Sequence, residues 1–281
     1  MLAVNPFLVD VDWLSARLGE AGISIVDASW YLPAAVRDGA REYDAQHIPG
    51  AVFLDLDKVV DPASPLPHTL PKARDFAAAV GRTGVSDQDT IVVYDGAGLF
   101  SAARAWWMFR QFGATKVVIL DGGFPAWLEA RMPVESGSAP VQPATFIAIE
   151  PDAVVDFDTM RKVVKDRSAQ VLDARPAARF TGEQPEPRAG MRSGHMPGAV
   201  SVPVDCLVQN GSLLPVSELR AAFAAKGVDT SAPIVTTCGS GVTAAMISLA
   251  LESVAAAPQR LYDGSWAEWG GRSDTDIETG A

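Results

Sequence analysis

Short β-branched runs recur along the chain, separated by Ala-rich stretches whose apolar residues fall at helical spacing. Ile91 to Val93 and Ile234 to Thr237 read as buried strands. Phe76 to Gly81, Leu219 to Lys226 (LRAAFAAK) and the AAMISLALE segment from Ala244 read as helices. Strands that alternate with helices predict an α/β fold of mainly parallel sheets flanked by helices, because parallel crossovers lay helices over both faces of a sheet.

The pattern occurs twice. AQHIPGAVFLDL at Ala45 to Leu56 matches SGHMPGAVSVPV at Ser193 to Val204. Other pairs follow in the same order: IVDASW (25–30) with VLDARP (171–176), IVVYDGAG (91–98) with IVTTCGSG (234–241), and ILDGGFPAW (119–127) with RLYDGSWAEW (260–269). The spacing is that of whole domains, far longer than solenoid repeats of about 50 residues or fewer. Two domains are therefore expected, over 1–132 and 144–281. The Pro, Ser and Gly-rich stretch PVESGSAPVQP at 133–143 is the expected linker.

Composition narrows the function. A chain of 281 residues with 48% hydrophobic and 20% charged residues is ordinary for a folded protein. Its net charge of -11 argues against a nucleic-acid partner. No stretch approaches the roughly 20 apolar residues that span a bilayer, and MLAVNPFLVDVDWL lacks a basic leader, so no membrane partner is expected and the cytoplasm is the expected compartment. Cys206 and Cys238 are the only cysteines, too few for a disulfide framework or a cysteine-based zinc site. No motif calls for a metal or another cofactor.

Cys238 stands where a strand hands over to a helix through Gly239, Ser240, Gly241, Val242 and Thr243. Free N–H groups and the positive end of a helix dipole favour an anion there, and so favour the reactive thiolate. Cys206, at the end of SVPVDC, reads as a small buried hydrophobe. This context alone leaves a phosphatase and a sulfur carrier both open. Cysteine phosphatases carry an arginine six positions after the cysteine, where this chain has Ala244.

CGSGVTA at Cys238 to Ala244, the paired HIPGAV and HMPGAV, RF-x-G-x-x-PEPR at Arg179 to Arg188, YDGSWAEW at Tyr262 to Trp269 and AARAWWMFR resemble the rhodanese-like sulfurtransferases, most closely the 3-mercaptopyruvate sulfurtransferases. The resemblance covers nearly the whole chain. It implies two tandem rhodanese-like domains, catalysis in the second, and a site at the domain interface. Asp95 takes the place of Cys238 in the first domain, which should therefore bear no persulfide.

The resemblance also implies a mechanism. Cys238 takes sulfur from a small-molecule donor as a persulfide and passes it to cyanide, a thiol or a thioredoxin-like protein. Loop N–H groups from Gly239 to Thr243 would hold the persulfide, with hydrogen bonds from the Ser240 and Thr243 hydroxyls; Thr243 is equally readable as a helix cap. Arg179 and Arg188 are the implied carboxylate binders, with Arg175 and Arg192 as neighbouring alternatives. His47 is implied in a relay with Ser240 and Asp38, although its repetition as His195 reads equally as a shared structural task. The neutral loop after Cys238 favours mercaptopyruvate over thiosulfate, the alternative donor. A noncatalytic pair of rhodanese-like domains is opposed by the intact Cys238.

Overall fold

The computed structural model describes residues 5–137 and 141–280, and its two halves repeat one topology. The first sheet holds β1 (Leu8–Val9), β2 (Ile23–Asp27), β3 (Val52–Phe53), β4 (Thr90–Tyr94) and β5 (Val117–Leu120), all parallel, in the order β1-β5-β4-β2-β3. The second holds β6 (Val154–Val155), β7 (Gln170–Asp173), β8 (Val200–Ser201), β11 (Ile234–Thr237) and β12 (Gln259–Tyr262), in the matching order β6-β12-β11-β7-β8. Between β8 and β11 lies a short antiparallel hairpin of β9 (Val208–Gln209) and β10 (Ser212–Leu213). The central strands β4 and β11 are apolar or β-branched almost throughout because both of their faces are covered.

The covering helices are α1 (Val11–Ser15), α2 (Gly39–Ala45), α3 (Ala73–Arg82), α4 (Ala102–Gln111) and α5 (Gly123–Glu129) in the first half. Those of the second are α6 (Phe157–Asp166), α7 (Ala177–Phe180), α8 (Val216–Ala225), α9 (Ala244–Ser253) and α10 (Ser265–Trp269). Helices α4 and α9 are buried on nearly every side, which marks helices held in a core rather than lying on a surface. They pack against each other, so a single hydrophobic cluster runs from Phe76 and Trp106 through to Leu172 and Leu249. The Arg110–Glu252 ion pair (2.7 Å) joins the ends of the two helices. Among the described residues no helix is long and apolar enough to cross a membrane.

Residues 138–140 of the expected linker lie outside the described residues. Glu135 pairs back onto His47, and residues 144–149 still run along the first half: Ala144 and Ile149 donate to the carbonyls of Gly81 and Phe112, and Phe146 packs against Phe76. Packing therefore changes sides after the expected boundary at 143, closer to β6.

Candidate active site

The loop after β11 places Cys238 at the carboxyl end of the central strand, 2% exposed. Gly241 turns the chain at φ +82°, a conformation that costs glycine nothing sterically, and its N–H donates to Cys238 Sγ at 3.1 Å. The N–H groups of Gly239, Ser240, Val242 and Thr243 have no hydrogen-bond partner among the described residues. Val242 is buried in the core, while Thr243 begins α9 without a side-chain capping bond. The loop thus offers unspent donors beside the sulfur, an arrangement that can hold an anion.

The first half shows what such a cradle holds. Its loop after β4 begins with Asp95, fully buried, whose carboxylate accepts the N–H groups of Ala97 (2.8 Å), Phe100 (2.7 Å) and Ala102 (2.7 Å). The match with Cys238 extends to the backbone: the Asp95 carbonyl accepts Phe124 N–H, and the Cys238 carbonyl accepts Trp266 N–H. One copy carries a built-in anion where the other carries a thiol.

Ser240, two residues after the cysteine, is held by a histidine from the other half. His68 Nδ1 lies 3.0 Å from Ser240 Oγ and its Nε2 lies 2.9 Å from Asp57 Oδ1. A carboxylate only accepts, so Nε2–H donates to Asp57, and in the neutral ring Nδ1 accepts the Ser240 hydroxyl. His68 holds the Asp57 carboxyl below its ordinary range, with smaller contributions from Trp30 and the positive field of Arg188. Trp30 Nε1–H also donates to Asp57 Oδ1 (2.9 Å), and its ring meets the His68 ring edge-on at 4.8 Å.

The relay expected through His47 and Asp38 is therefore corrected. His47 Nδ1 bonds the Tyr43 carbonyl at 2.7 Å, and the ring stacks on Tyr43. Its backbone pairs with Glu135, whose carboxylate accepts Gly50 N–H. His195 repeats this with Phe180 and Glu278, so both histidines pin an H-x-PGA turn. Asp38 caps α2 by accepting Arg41 N–H and is exposed. Sequence reasoning missed His68 and Asp57. A signal was present in the duplication, because Leu70 aligns with Leu213 and so sets His68 opposite Gly211. His68 has φ +58° and Gly211 φ +78°, so a histidine occupies a left-handed turn that its copy fills with glycine.

The arginines divide by task. Arg175, fully buried, binds Asp173 (2.7 Å), Glu186 (2.8 Å) and the Gly194 carbonyl (2.8 Å), and stacks on Trp266. Arg192 is spent on the carbonyls of Trp269, Gly270, Arg272 and Thr275. Arg179 reaches Glu186 at 3.6 Å. Arg188 has no ion pair or hydrogen bond among the described residues, and a Cβ added at Gly239 would lie 4.0 Å from its Nη1. A guanidinium with no partner among the described residues thus stands beside Gly239 of the cysteine loop.

A family model for the rhodanese-like domain matches residues 10–130 and 156–272. The chain belongs to the rhodanese-like sulfurtransferases. It is 44% identical to the 3-mercaptopyruvate sulfurtransferase of Escherichia coli (strain K12) over 274 residues, 97% of this chain and 98% of that one. The human 3-mercaptopyruvate sulfurtransferase is 43% identical over 270 residues, 93% of this chain and 91% of that protein. The crystal structure of SseA from Escherichia coli superposes with a TM-score of 0.86 at 42% identity, covering 92% of this chain and 98% of that one. Both halves have the rhodanese architecture, and Cys238 opens the strand-to-helix loop of the second.

Proposed function

We propose that the protein transfers sulfur from 3-mercaptopyruvate, through a persulfide on Cys238, to a thiol or cyanide acceptor, with release of pyruvate. The observation that carries this is the His68–Ser240 contact, which brings a first-half histidine to the second-half cysteine loop. The Cys238 thiolate attacks the donor sulfur and forms an S–S bond. The donor C–S bond breaks, and its electron pair leaves as the enolate of pyruvate. The Ser240 hydroxyl, backed by His68 and Asp57, can deliver a proton to the enolate and regain one from the new S–H. The outer sulfur is left anionic, and the N–H groups from Gly239 to Thr243 hold it. A second thiophile then attacks that sulfur and frees the thiolate.

Arg188, with Arg179 as the second candidate, supplies the cation for the donor carboxylate. The relatives named for 3-mercaptopyruvate support this donor, as does the absence of any cationic side chain at Gly239, Ser240 or Gly241. The competing donor is thiosulfate, whose charge lies next to the attacked sulfur. Two free thiols and no disulfide suit a reducing compartment such as the cytoplasm, where a thioredoxin-like acceptor can supply the second thiol. Intact-mass analysis after mixing with 3-mercaptopyruvate tests the proposal. One added sulfur is expected on the peptide containing Cys238, and an unmodified Cys238 with sulfur elsewhere would overturn it.

A further inference from the structure

Arg104 of α4 is a charged side chain at 1% exposure in the seam between the halves. Its Nη2 donates to the His68 carbonyl (2.7 Å) and to Asp263 Oδ1 (2.8 Å), and its Nη1 donates to the Gly241 carbonyl (3.2 Å). Asp263 Oδ2 in turn accepts Leu70 N–H at 2.7 Å. One guanidinium and its carboxylate therefore grip both ends of the turn at His68 and, at the same time, the turn that aims Gly241 N–H at Cys238 Sγ. The planar fork of arginine can serve acceptors on separate segments at once, which a single ammonium cannot do in fixed directions.

The duplication provides an internal control. Helices α4 and α9 are both ten residues long, and Met246 stands third in α9 where Arg104 stands third in α4. Asp121 follows β5 as Asp263 follows β12. Without a guanidinium, Asp121 Oδ1 is buried and has no hydrogen-bond partner among the described residues, and burial pushes that carboxyl up. The corresponding left-handed turn holds Gly211, which needs no outside support. The same loop architecture thus forms around the noncatalytic copy without a buried cation. The cation is found only where the left-handed residue is the relay histidine and the loop bears the thiol.

We propose that Arg104 is a positioning residue for sulfur transfer, fixing the left-handed turn at His68 to the Cys238 loop so that seating of the two halves sets the His68–Ser240 contact. The proposal deepens the function proposed above and rests on it. Arg104 touches neither the donor nor the sulfur; it acts through His68 and Gly241.

The test uses the full chain with R104M, which copies Met246, and R104K, alone and combined with H68N. Steady-state kinetics with 3-mercaptopyruvate, intact-mass detection of persulfide in a single turnover, and urea unfolding are read for each. R104M should lower kcat about 100-fold with KM within about three-fold, and R104K should recover about ten-fold of that loss. In the H68N background, R104M should cost no more than about three-fold further, because the relay it aligns is already gone. Losses that multiply in the double variant, or that track the unfolding midpoint across the set, would make Arg104 structural glue and overturn the proposal. Wild-type kcat in folded R104K would do the same. If R104M does not fold, R104K with H68N completes the same cycle. Should the wild type form persulfide from thiosulfate alone, the donor assignment falls and the cycle is read with thiosulfate; persulfide from neither donor refutes both.

Discussion

Replacing Asp27 with Asn should make the protein more stable at neutral pH and flatten part of its acid-side profile. Asp27 ends β2 as Asp173 ends β7, but Asp173 is paired with the buried Arg175, whereas the first half has Ser29 at that place. Burial without a cation pushes the Asp27 carboxyl up from 3.8 to about 6, against hydrogen bonds from Ser29 and Tyr94 that pull it down. A carboxyl raised in this way binds its proton more tightly folded than unfolded. Its contribution is therefore fully favourable below pH 3.8 and is lost as pH rises through about 6. That tighter proton binding corresponds to about 3 kcal/mol, of which about 1.4 kcal/mol falls between pH 5 and 7.5. Asn keeps an acceptor for the Ser29 N–H now bound at 2.8 Å and carries no charge. Urea unfolding of both proteins at several pH values in that window gives the difference directly, since other titrating groups cancel. D27N should gain on the wild type by about 1.4 kcal/mol from pH 5 to 7.5. A flat difference would refute the buried-carboxylate account.

Further outcomes follow from the site. C238S should form no persulfide and show no turnover by intact mass and pyruvate release, whereas C206S, at a half-buried thiol that burial pushes up, should retain both. H68N should lower kcat by about 100-fold or more, the range lost with general acid-base help, while H47N should chiefly lower the unfolding midpoint; the reverse assignment of effects would restore His47 to the relay. R188A should raise KM for mercaptopyruvate more than for thiosulfate, and equal changes for both donors would remove Arg188 from carboxylate binding. W30F keeps the ring edge on His68 but loses the Nε1–H bond to Asp57, so a drop in kcat of about three- to ten-fold is expected; an unchanged pH-rate profile would show that the bond does not tune the relay.

The fold was legible because the sequence states it twice. The run at Ile91 to Val93 lies inside β4, Ile234 to Thr237 is β11, and the helical spacing at Phe76 and Leu219 falls in α3 and α8. The cysteine loop was legible too, since strand, glycine and helix are local signals. The relay was not. His68 and Ser240 are 172 positions apart, and His68 lies in an irregular segment with no periodicity to fix its direction. The conspicuous histidine was His47, and its repetition as His195 goes with a turn that both copies pin in the same way. The proposed site chemistry sits where the copies differ: Cys238 against Asp95, Ser240 against Ala97, His68 against Gly211. The expected boundary at 143 precedes the point where packing changes sides, because Pro and Gly content marks irregular chain and carries no information about which half residues 144–149 pack on.

Asp95 makes the two halves unequal before any substrate arrives. The first loop has its carboxylate covalently installed, so the N–H groups of Ala97, Phe100 and Ala102 find their acceptor as soon as that half folds. On the proposed mechanism the second loop gains the corresponding acceptor only when Cys238 carries an outer sulfur. Sulfur loading then acts on the second half as a bound ligand acts on a folded state, by removing an unmet demand that the unfolded chain does not have. The loaded protein should be the more heat-resistant of the two forms and should exchange the amides of Ser240 to Thr243 more slowly. Each turnover then carries the catalytic half between a tighter and a looser state, while its twin, with aspartate in place of thiol, stays in the tighter one throughout.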